Sequence, residues 1–436
     1  MRVNYFQLRR MSVEERSRLY RRAGVNPEAL IARVTPILED VRLRGDDAVR
    51  EYTKRFDGAD MEASQFRVPS DEMDRAVAAI PDDLGKAIEV SIANIRKFHE
   101  RQIEAPSWEI EISPGIIAGE KVLPIASVGL YVPRGKGSFP SMMMMAGVPA
   151  RVAGVERIVV VTPPDKDGKA DLATVAAAKM IGLSEIYAVG GVQAVAALAF
   201  GTATIPHVDK IVGPGSGYVL AAKQILSSIV DTGLPAGPSE SIVIADGSVD
   251  PLTAVTDLLI EAEHGPDSSA YLVTADESLA KKAVELIPDL VSALPEQRRE
   301  FCEAVFQSTG GVVLAETPDQ AVEFVNGFAP EHLQILTRNP YEIMEKIKYA
   351  GEVLLGRFTP GTLANYSIGP NAILPTSGFA RTASALSVRD FTRRMSYSMV
   401  SEEGFKTLAP RTLTLARYEG FAAHARALEH RLKDTN

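Results

Sequence analysis

Residues 157–212, RIVVVTPPDKDGKADLATVAAAKMIGLSEIYAVGGVQAVAALAFGTATIPHVDKIV, decide the fold. RIVVVT at 157–162, EIYAV at 185–189 and KIV at 210–212 read as strands, with helical sequence through DLATVAAAKM and VQAVAALAF between them. Such βαβαβ order implies a parallel sheet with helical crossovers. Gly190 and Gly191 end one strand and Gly213, Pro214 and Gly215 the next, where open α/β sheets bind ligands. Neither turn spells GxGxxG, and turns recruit glycine for conformational reasons alone. A second alternation follows, with strands SIVIA at 241–245, AYLVT at 270–274, GVVLA at 311–315 and HLQIL at 332–336. Pro235 to Glu240 would be the hinge between the two units, and clefts between units are favoured binding sites. Residues 1 to about 107 read mostly as helices. From Val128, VGLYVPRGKGSFPSM runs from an apolar strand into a glycine-rich loop, and the methionines at 142 to 145 suit the packing of an adaptable helix. From about Ser387 the chain reads as an amphipathic helix on which Arg417, Phe421, His424 and Leu428 share a face.

A chain of 436 residues, 46% hydrophobic, exceeds one ordinary domain and can bury a large core. Its single cysteine, Cys302, allows no intrachain disulfide, so a reducing compartment is expected. No signal-peptide core or membrane-length apolar run is present, which makes a soluble, cytoplasmic protein with no membrane partner the expectation. A net charge of −9 argues against a nucleic-acid partner, and the arginines at 9, 10, 16, 18, 21 and 22 are interleaved with Glu14 and Glu15.

One spacing suggests metal chemistry. If Pro251 to His264 is a helix, Glu261 and His264 place a carboxylate and an imidazole on one face of its last turn, before Gly265 and Pro266 stop it. Two donors do not close a zinc site, so others must come from elsewhere in this chain or from another. An isolated pair of this kind is also what a solvated helix end looks like.

Ten blocks carry a family resemblance: VGLYVPRG, IVVVTPP, GGVQAVAALAFGT, VDKIVGPGSGYV, LPAGPSES, EAEHGPDSSA, FAPEHLQI, GPNAILPTSG, LSVRDF and EGFAAH. In these the chain resembles the histidinol dehydrogenases over essentially its whole length. The resemblance implies an α/β fold of two incomplete Rossmann-like α/β/α domains with small helical N- and C-terminal domains. The division it suggests is an N-terminal helical segment at 1–26, a discontinuous metal and catalytic domain at 27–130 plus 239–386, an NAD-binding domain at 131–238, and a tail at 387–436 that serves a partner subunit. It implies a zinc- and NAD-linked homodimer with a shared active site, oxidising an amino alcohol in two hydride steps, L-histidinol through histidinal to L-histidine. Position by position, the acid/base pair falls on Glu331 and His332, and the zinc ligands on Glu261, His264, Asn365 and a partner's His424. Substrate contacts fall on those four positions together with Ser239, His332 and Glu419, and NAD contacts on Tyr131, Gln193 and Ser216.

Departures from the family pattern matter as much. Glu261 stands where the family has glutamine and Asn365 where it has aspartate, so the ligand set keeps one carboxylate, one amide and two imidazoles. Ala372 stands where an imidazole would line the substrate site, Ser216 replaces an asparagine, and TPGTLANY replaces TPExxGDY. Losing a polar reader changes specificity by orders of magnitude. In the implied mechanism His332 takes the alcohol proton, since an imidazole of pKa about 6.5 suits proton transfer at neutral pH. Glu331 then activates water against the aldehyde. Three alternatives stand beside this reading. One is a paralogue oxidising another small primary alcohol, such as a sulfonated or hydroxylated one. Another is a thiol-dependent aldehyde dehydrogenase using Cys302, in an apolar helix without a basic neighbour. The last is a non-catalytic metal or ligand binder.

Overall fold

A computed structural model describes residues 1–22, 27–135 and 137–434, and divides the chain into two compact units, residues 1–102 with 125–391 and residues 103–124 with 392–436. The first unit opens on β1 (Tyr5–Gln7) and α1 (Val13–Leu19), whose N-terminus is held by a reciprocal Ser12–Glu15 capping box. The N-terminal segment expected to be helical therefore begins with a strand, and its residues 23–26 lie outside the described residues. Next come α2 (Pro27–Arg44), α3 (Asp46–Asp57), α4 (Ser70–Ala79) and α5 (Asp82–Glu100). Strands β2 (Ser107–Ser113) and β3 (Ile116–Pro124) belong to the second unit.

The expected alternation then appears: β4 (Ser127–Tyr131), α6 (Pro140–Val152), β5 (Arg157–Val161), α7 (Leu172–Ile181), β6 (Ile186–Tyr187), α8 (Gly191–Phe200), β7 (Lys210–Val212) and α9 (Gly217–Leu226). These strands form a parallel sheet in the order β6-β5-β4-β7. Met143, Met144 and Met145 are buried in its core, so the methionine run is packing. The second alternation runs β8 (Glu240–Ala245), α10 (Pro251–Ala262), β9 (Ser269–Thr274), α11 (Glu277–Ser292), α12 (Glu296–Gln307), β10 (Gly310–Leu314), α13 (Pro318–Phe328), β11 (His332–Leu336), α14 (Pro340–Met344), β12 (Glu352–Leu355) and α15 (Gly361–Tyr366). With β1 it builds a six-stranded parallel sheet, β1-β10-β9-β8-β11-β12. Strands β8 to β11 are buried on both faces, which is why they read as continuous apolar runs.

The helices before residue 103 pack differently from the sequence grouping of 27–130 with 239–386. Helices α2 and α3 lie against α8 and α9, while α4 and α5 lie against α6 and α7. Their apolar stripes, Val34, Leu38, Val41 and Val49 on one side and Ile88, Ile92 and Ile95 on the other, complete the two cores flanking the four-stranded sheet.

In the second unit, residues 392–400 correct the expectation of an all-helical tail. TRRMSYSMV forms β13 (Thr392–Val400), antiparallel to β3 in a sheet ordered β13-β3-β2. Tyr397 crosses over Gly119, where a Cβ would come within 2.3 Å of the Trp108 carbonyl and 2.8 Å of the tyrosine ring. Helices α16 (Glu402–Tyr418) and α17 (Ala422–Asp434) follow, separated by Gly420 at φ 78°. Arg417 thus lies on a different helix from His424 and Leu428, and the four-residue face does not form. Among the described residues no helix is long and apolar enough to cross a membrane.

Candidate active site

Within the first unit the carboxyl ends of β4 and β7 and the amino ends of β8, β9 and β11 line one cavity of about 310 Å³. Tyr131 and Pro214 to Ser216 come from the smaller sheet, and Ser239, Ser268, Glu331 and His332 from the larger; Glu261, His264 and Asn365 close the wall. The smaller sheet obeys the rule that ligands sit beyond carboxyl ends. The larger contributes its opposite edge because β8 runs out and α10 runs back, returning Glu261 to the level of Ser239.

Glu331 and His332 are delivered by a strained turn. Ala329 at the end of α13 sits at φ 55°, a left-handed conformation that an alanine holds only when its surroundings impose it. Arg22 imposes it: its Nη2 donates to the Phe328 and Ala329 carbonyls at 2.7 and 3.3 Å, and its guanidinium grips Glu240 through Nε and Nη2 at 2.8 and 3.1 Å. The Glu240 amide in turn donates to Glu331 Oε2 at 2.9 Å. His332 donates from Nδ1 to Glu352 Oε1 at 2.6 Å, which leaves Nε2 facing Glu331 Oε1 at 3.7 Å and Glu261 Oε1 at 3.9 Å. None of Arg22, Glu240 and Glu352 was legible as functional: Glu240 and Glu352 merely open strands and Arg22 lies in a loop, positions that carry no spacing signal.

Electrostatics follow from burial and crowding. Burial alone would push the His332 imidazole down, but Glu261, Glu331 and the hydrogen bond to Glu352 outweigh it and raise its pKa to about 10. Glu331 moves well above the usual carboxylate range because it is desolvated beside Glu261, with His332 opposing. Burial also raises Glu261, yet His264, His332, Asn365 and Ser239 together hold it below its ordinary value. The free chain thus keeps Glu261 ionised and His332 as imidazolium, correcting the expectation of an unperturbed imidazole.

The proposed ligand positions 261, 264 and 365 converge. Glu261, at the last turn of α10, accepts from Asn365 Nδ2 at 2.8 Å and lies 3.3 Å from His264 Nδ1. His264 Nδ1 donates to the Ile260 carbonyl at 2.9 Å, which fixes the tautomer and leaves Nε2 as a donor atom for a cation. Among the described residues no three His, Cys, Asp or Glu side chains converge as a metal group; the set is one carboxylate, one imidazole and an amide. Among the described residues the basic neighbours of the buried Glu261 are the imidazoles of His264 and His332, with no lysine or arginine; such a carboxylate fits a cation, and the amide oxygen can serve once Asn365 turns it inward.

Tyr131 and Ser216 line the same cavity, and the Ser216 hydroxyl makes no capping bond at the start of α9. Gln193 is fully buried on α8 and is not a lining residue; its Nε2 donates to Asp57 at 3.3 Å. Glu419 caps the end of α16 and His424 lies on α17, both exposed and both in the second unit, so neither lines the cavity. Ala372 is a lining residue in a loop pinned by Asn371, whose Nδ2 donates to the Met145 carbonyl at 2.6 Å. Its neighbours Ile373 and Leu374 are apolar; Arg134 also lines the cavity, its guanidinium donating to the Lys169 carbonyl at 2.8 Å and lying 3.6 Å from Asp165.

Cys302 is fully buried on α12. Burial and Glu263 push its thiol up to about 12 against the pull of Arg298, one turn before it. The basic neighbour that sequence reading missed therefore does not activate it, and a thiolate mechanism has no support.

The histidinol dehydrogenase family profile matches residues 20–432. A relative from Synechocystis sp. named "Histidinol dehydrogenase" is 48% identical over 425 residues, 98% of each chain. One from Colwellia psychrerythraea, named "Histidinol dehydrogenase homolog", is 46% identical over 429 residues, 98% of this chain and 96% of its own. The crystal structure of histidinol dehydrogenase from Elizabethkingia anophelis superposes with a TM-score of 0.92 at 35% identity, covering 99% of this chain and 98% of that one. Profile, identity and fold extend along the whole chain, and on them it belongs to the histidinol dehydrogenase family, an oxidoreductase enzyme family.

Proposed function

We propose that this chain is an NAD-dependent dehydrogenase that carries a small primary alcohol through its aldehyde to the acid, L-histidinol to L-histidine in the first reading. What supports this most is one observation: His332 Nε2, aimed by Glu352, meets Glu331 and Glu261 in a cavity bordered by the ligand-binding edge of a parallel sheet. NAD, when bound, would supply the hydride acceptor for each of the two oxidations of the carbinol carbon. A zinc ion would be held by Glu261, His264 and Asn365, with His424 from a second copy of the chain, and would supply charge that orients the alcohol. Tyr131, Gln193 and Ser216 serve the cofactor, while Ser239 and a second copy's Glu419 serve the substrate. His332 accepts the hydroxyl proton as the carbon loses hydride. Glu331, once ionised, takes a proton from the water that adds to the aldehyde, and the hydrate is oxidised in turn. Two NADH per L-histidinol consumed is the expected stoichiometry.

Glu331→Gln separates the two halves. The first oxidation persists, the second slows by about a hundredfold, and NADH yield falls from two towards one as trappable aldehyde accumulates. Because Glu331 is shifted upward, its ionised form gains with rising pH, so in the unmutated protein the second oxidation quickens as pH rises. Two NADH per alcohol in the variant would remove Glu331 from the water step.

Ala372 favours a second reading, a small primary alcohol lacking the imidazole. The apolar wall of Ile373 and Leu374 offers a heteroaromatic ring no hydrogen bond. Relatives at 46–48% identity include one named "Histidinol dehydrogenase" and others named "Histidinol dehydrogenase homolog", so overall likeness does not choose. NADH formation across L-histidinol and a panel of small alcohols with acidic groups does.

A further inference from the structure

The base is held from the neighbouring strand. β11 and β12 pair in parallel with His332 in register with Glu352, so both side chains leave the same face of the sheet. Two backbone bonds lock the start of β12 to the turn that carries the acid/base pair: the Gly351 amide donates to the Pro330 carbonyl at 2.9 Å and the Glu352 amide to the Glu331 carbonyl at 3.0 Å. Gly351 permits the close approach, since a Cβ there would come within 2.5 Å of the Glu331 carbonyl oxygen. The Glu352 side chain is 9% exposed and is not a lining residue of the ligand cavity. Among the described residues its recorded partner is His332 Nδ1 at 2.6 Å, with no lysine or arginine. A buried ion pair commonly costs as much in desolvation as it returns, so stability alone gives no reason for an acid here.

Position 361 shows the converse. Gly361 opens α15 and, with His332, lines a second cavity of about 20 Å³ that Ser241, Asp257 and Gln334 also border. Its backbone is not left-handed, and a Cβ there would touch nothing nearer than Ile260 at 3.6 Å, with Glu261 Oε1 at 4.0 Å. Neither conformation nor crowding calls for glycine. The Ser241 hydroxyl on the same cavity is buried without a hydrogen-bond partner, so the space is walled for a polar group. TPGTLANY puts this glycine where TPExxGDY has its glutamate. An acid is thus missing from α15 beside His332, and one is present on β12 against the same ring. We infer that Glu352 is the positioning residue of the catalytic imidazole and has taken that task over from position 361, keeping the proton on Nδ1 and turning Nε2 to the alcohol. The tautomer matters because a neutral ring holding its proton on Nε2 cannot accept another there. This rests on the proposal that His332 is the base.

Steady-state kinetics of the full-length protein test it, with L-histidinol or whichever alcohol of the panel is oxidised. Glu352→Ala is expected to lower kcat about a hundredfold, while KM, NADH affinity and zinc content stay within about twofold. Glu352→Gln keeps an acceptor for the Nδ1 proton and is expected to lose no more than about tenfold. Glu352→Ala combined with Gly361→Glu returns a carboxylate from α15 and is expected to run at least about tenfold faster than Glu352→Ala alone. Glu352→Ser repeats the series if the alanine variant does not fold. Unchanged kcat in Glu352→Ala overturns the inference. So does a joint fall in NADH affinity and zinc content, the mark of a merely structural residue, and so does a folded double variant no faster than the single one. His332→Ala keeps this apart from the reading beneath it: a slow His332→Ala beside a fast Glu352→Ala removes only the role of Glu352, whereas full turnover by His332→Ala removes the base and this inference with it.

Discussion

Replacing His332 with alanine is expected to lower kcat by about a thousandfold while leaving NADH binding and the melting temperature close to those of the unmutated protein. The size follows from how the imidazole is held. Glu352 fixes Nδ1 at 2.6 Å, Glu331 and Glu261 sit on the Nε2 side, and the residue is 6% exposed. Among the described residues the other groups on the Nε2 side are the carboxyls of Glu331 and Glu261, so no second imidazole is there to take the alcohol proton. The pH profile carries a sign as well. His332 is raised to about 10, so its proton is present below that pH and is lost as pH rises through it. A base must be neutral, and kcat therefore climbs with pH from neutral towards alkaline. Positive charge on Glu261 cancels one of the carboxylates that hold the proton, so the rise moves to lower pH when the cation is bound. Turnover by His332→Ala at the unmutated rate would exclude this base.

Removing the cation is the second large effect. Dialysis against a chelator is expected to cut alcohol oxidation by about a hundredfold or more, and added zinc to restore it, while NADH affinity stays within about twofold. NADH affinity is expected to survive because the proposed cofactor contacts Tyr131 and Ser216 come from the smaller sheet, whereas Glu261 and Asn365 sit on α10 and α15 and His264 just past the end of α10. Full activity in chelated, metal-free protein would refute the role given to the ion.

The parallel strands were legible because strands buried on both faces are written as unbroken apolar runs, and RIVVVT and SIVIA could be little else. Strand β13 was not. Its alternating Met395, Tyr397 and Met399 are diluted by arginine and serine, and its partner β3 lies hundreds of residues earlier, so nothing local marks the pairing. Helices α2 to α5 show a subtler limit: an amphipathic stripe says that a face is buried but not against which sheet. Within the site, Glu261, His264, Asn365, Glu331 and His332 were found through motifs, and the structure brings all five to one cavity. Glu352 and Arg22 act through pairings between distant segments, which spacing cannot encode.

Everything about the metal turns on whether Glu261 and Asn365 have exchanged an acid and an amide around one ion. Zinc analysis of two variants decides it most directly. The unmutated chain is expected to hold one zinc per subunit; Glu261→Gln leaves no carboxylate among positions 261, 264, 365 and 424, and is expected to lose it, with affinity down at least about a hundredfold. Glu261→Gln combined with Asn365→Asp returns the carboxylate from the other side and is expected to recover one zinc per subunit. No stoichiometric zinc in the unmutated chain, or a double variant as empty as the single one, would contradict the exchange.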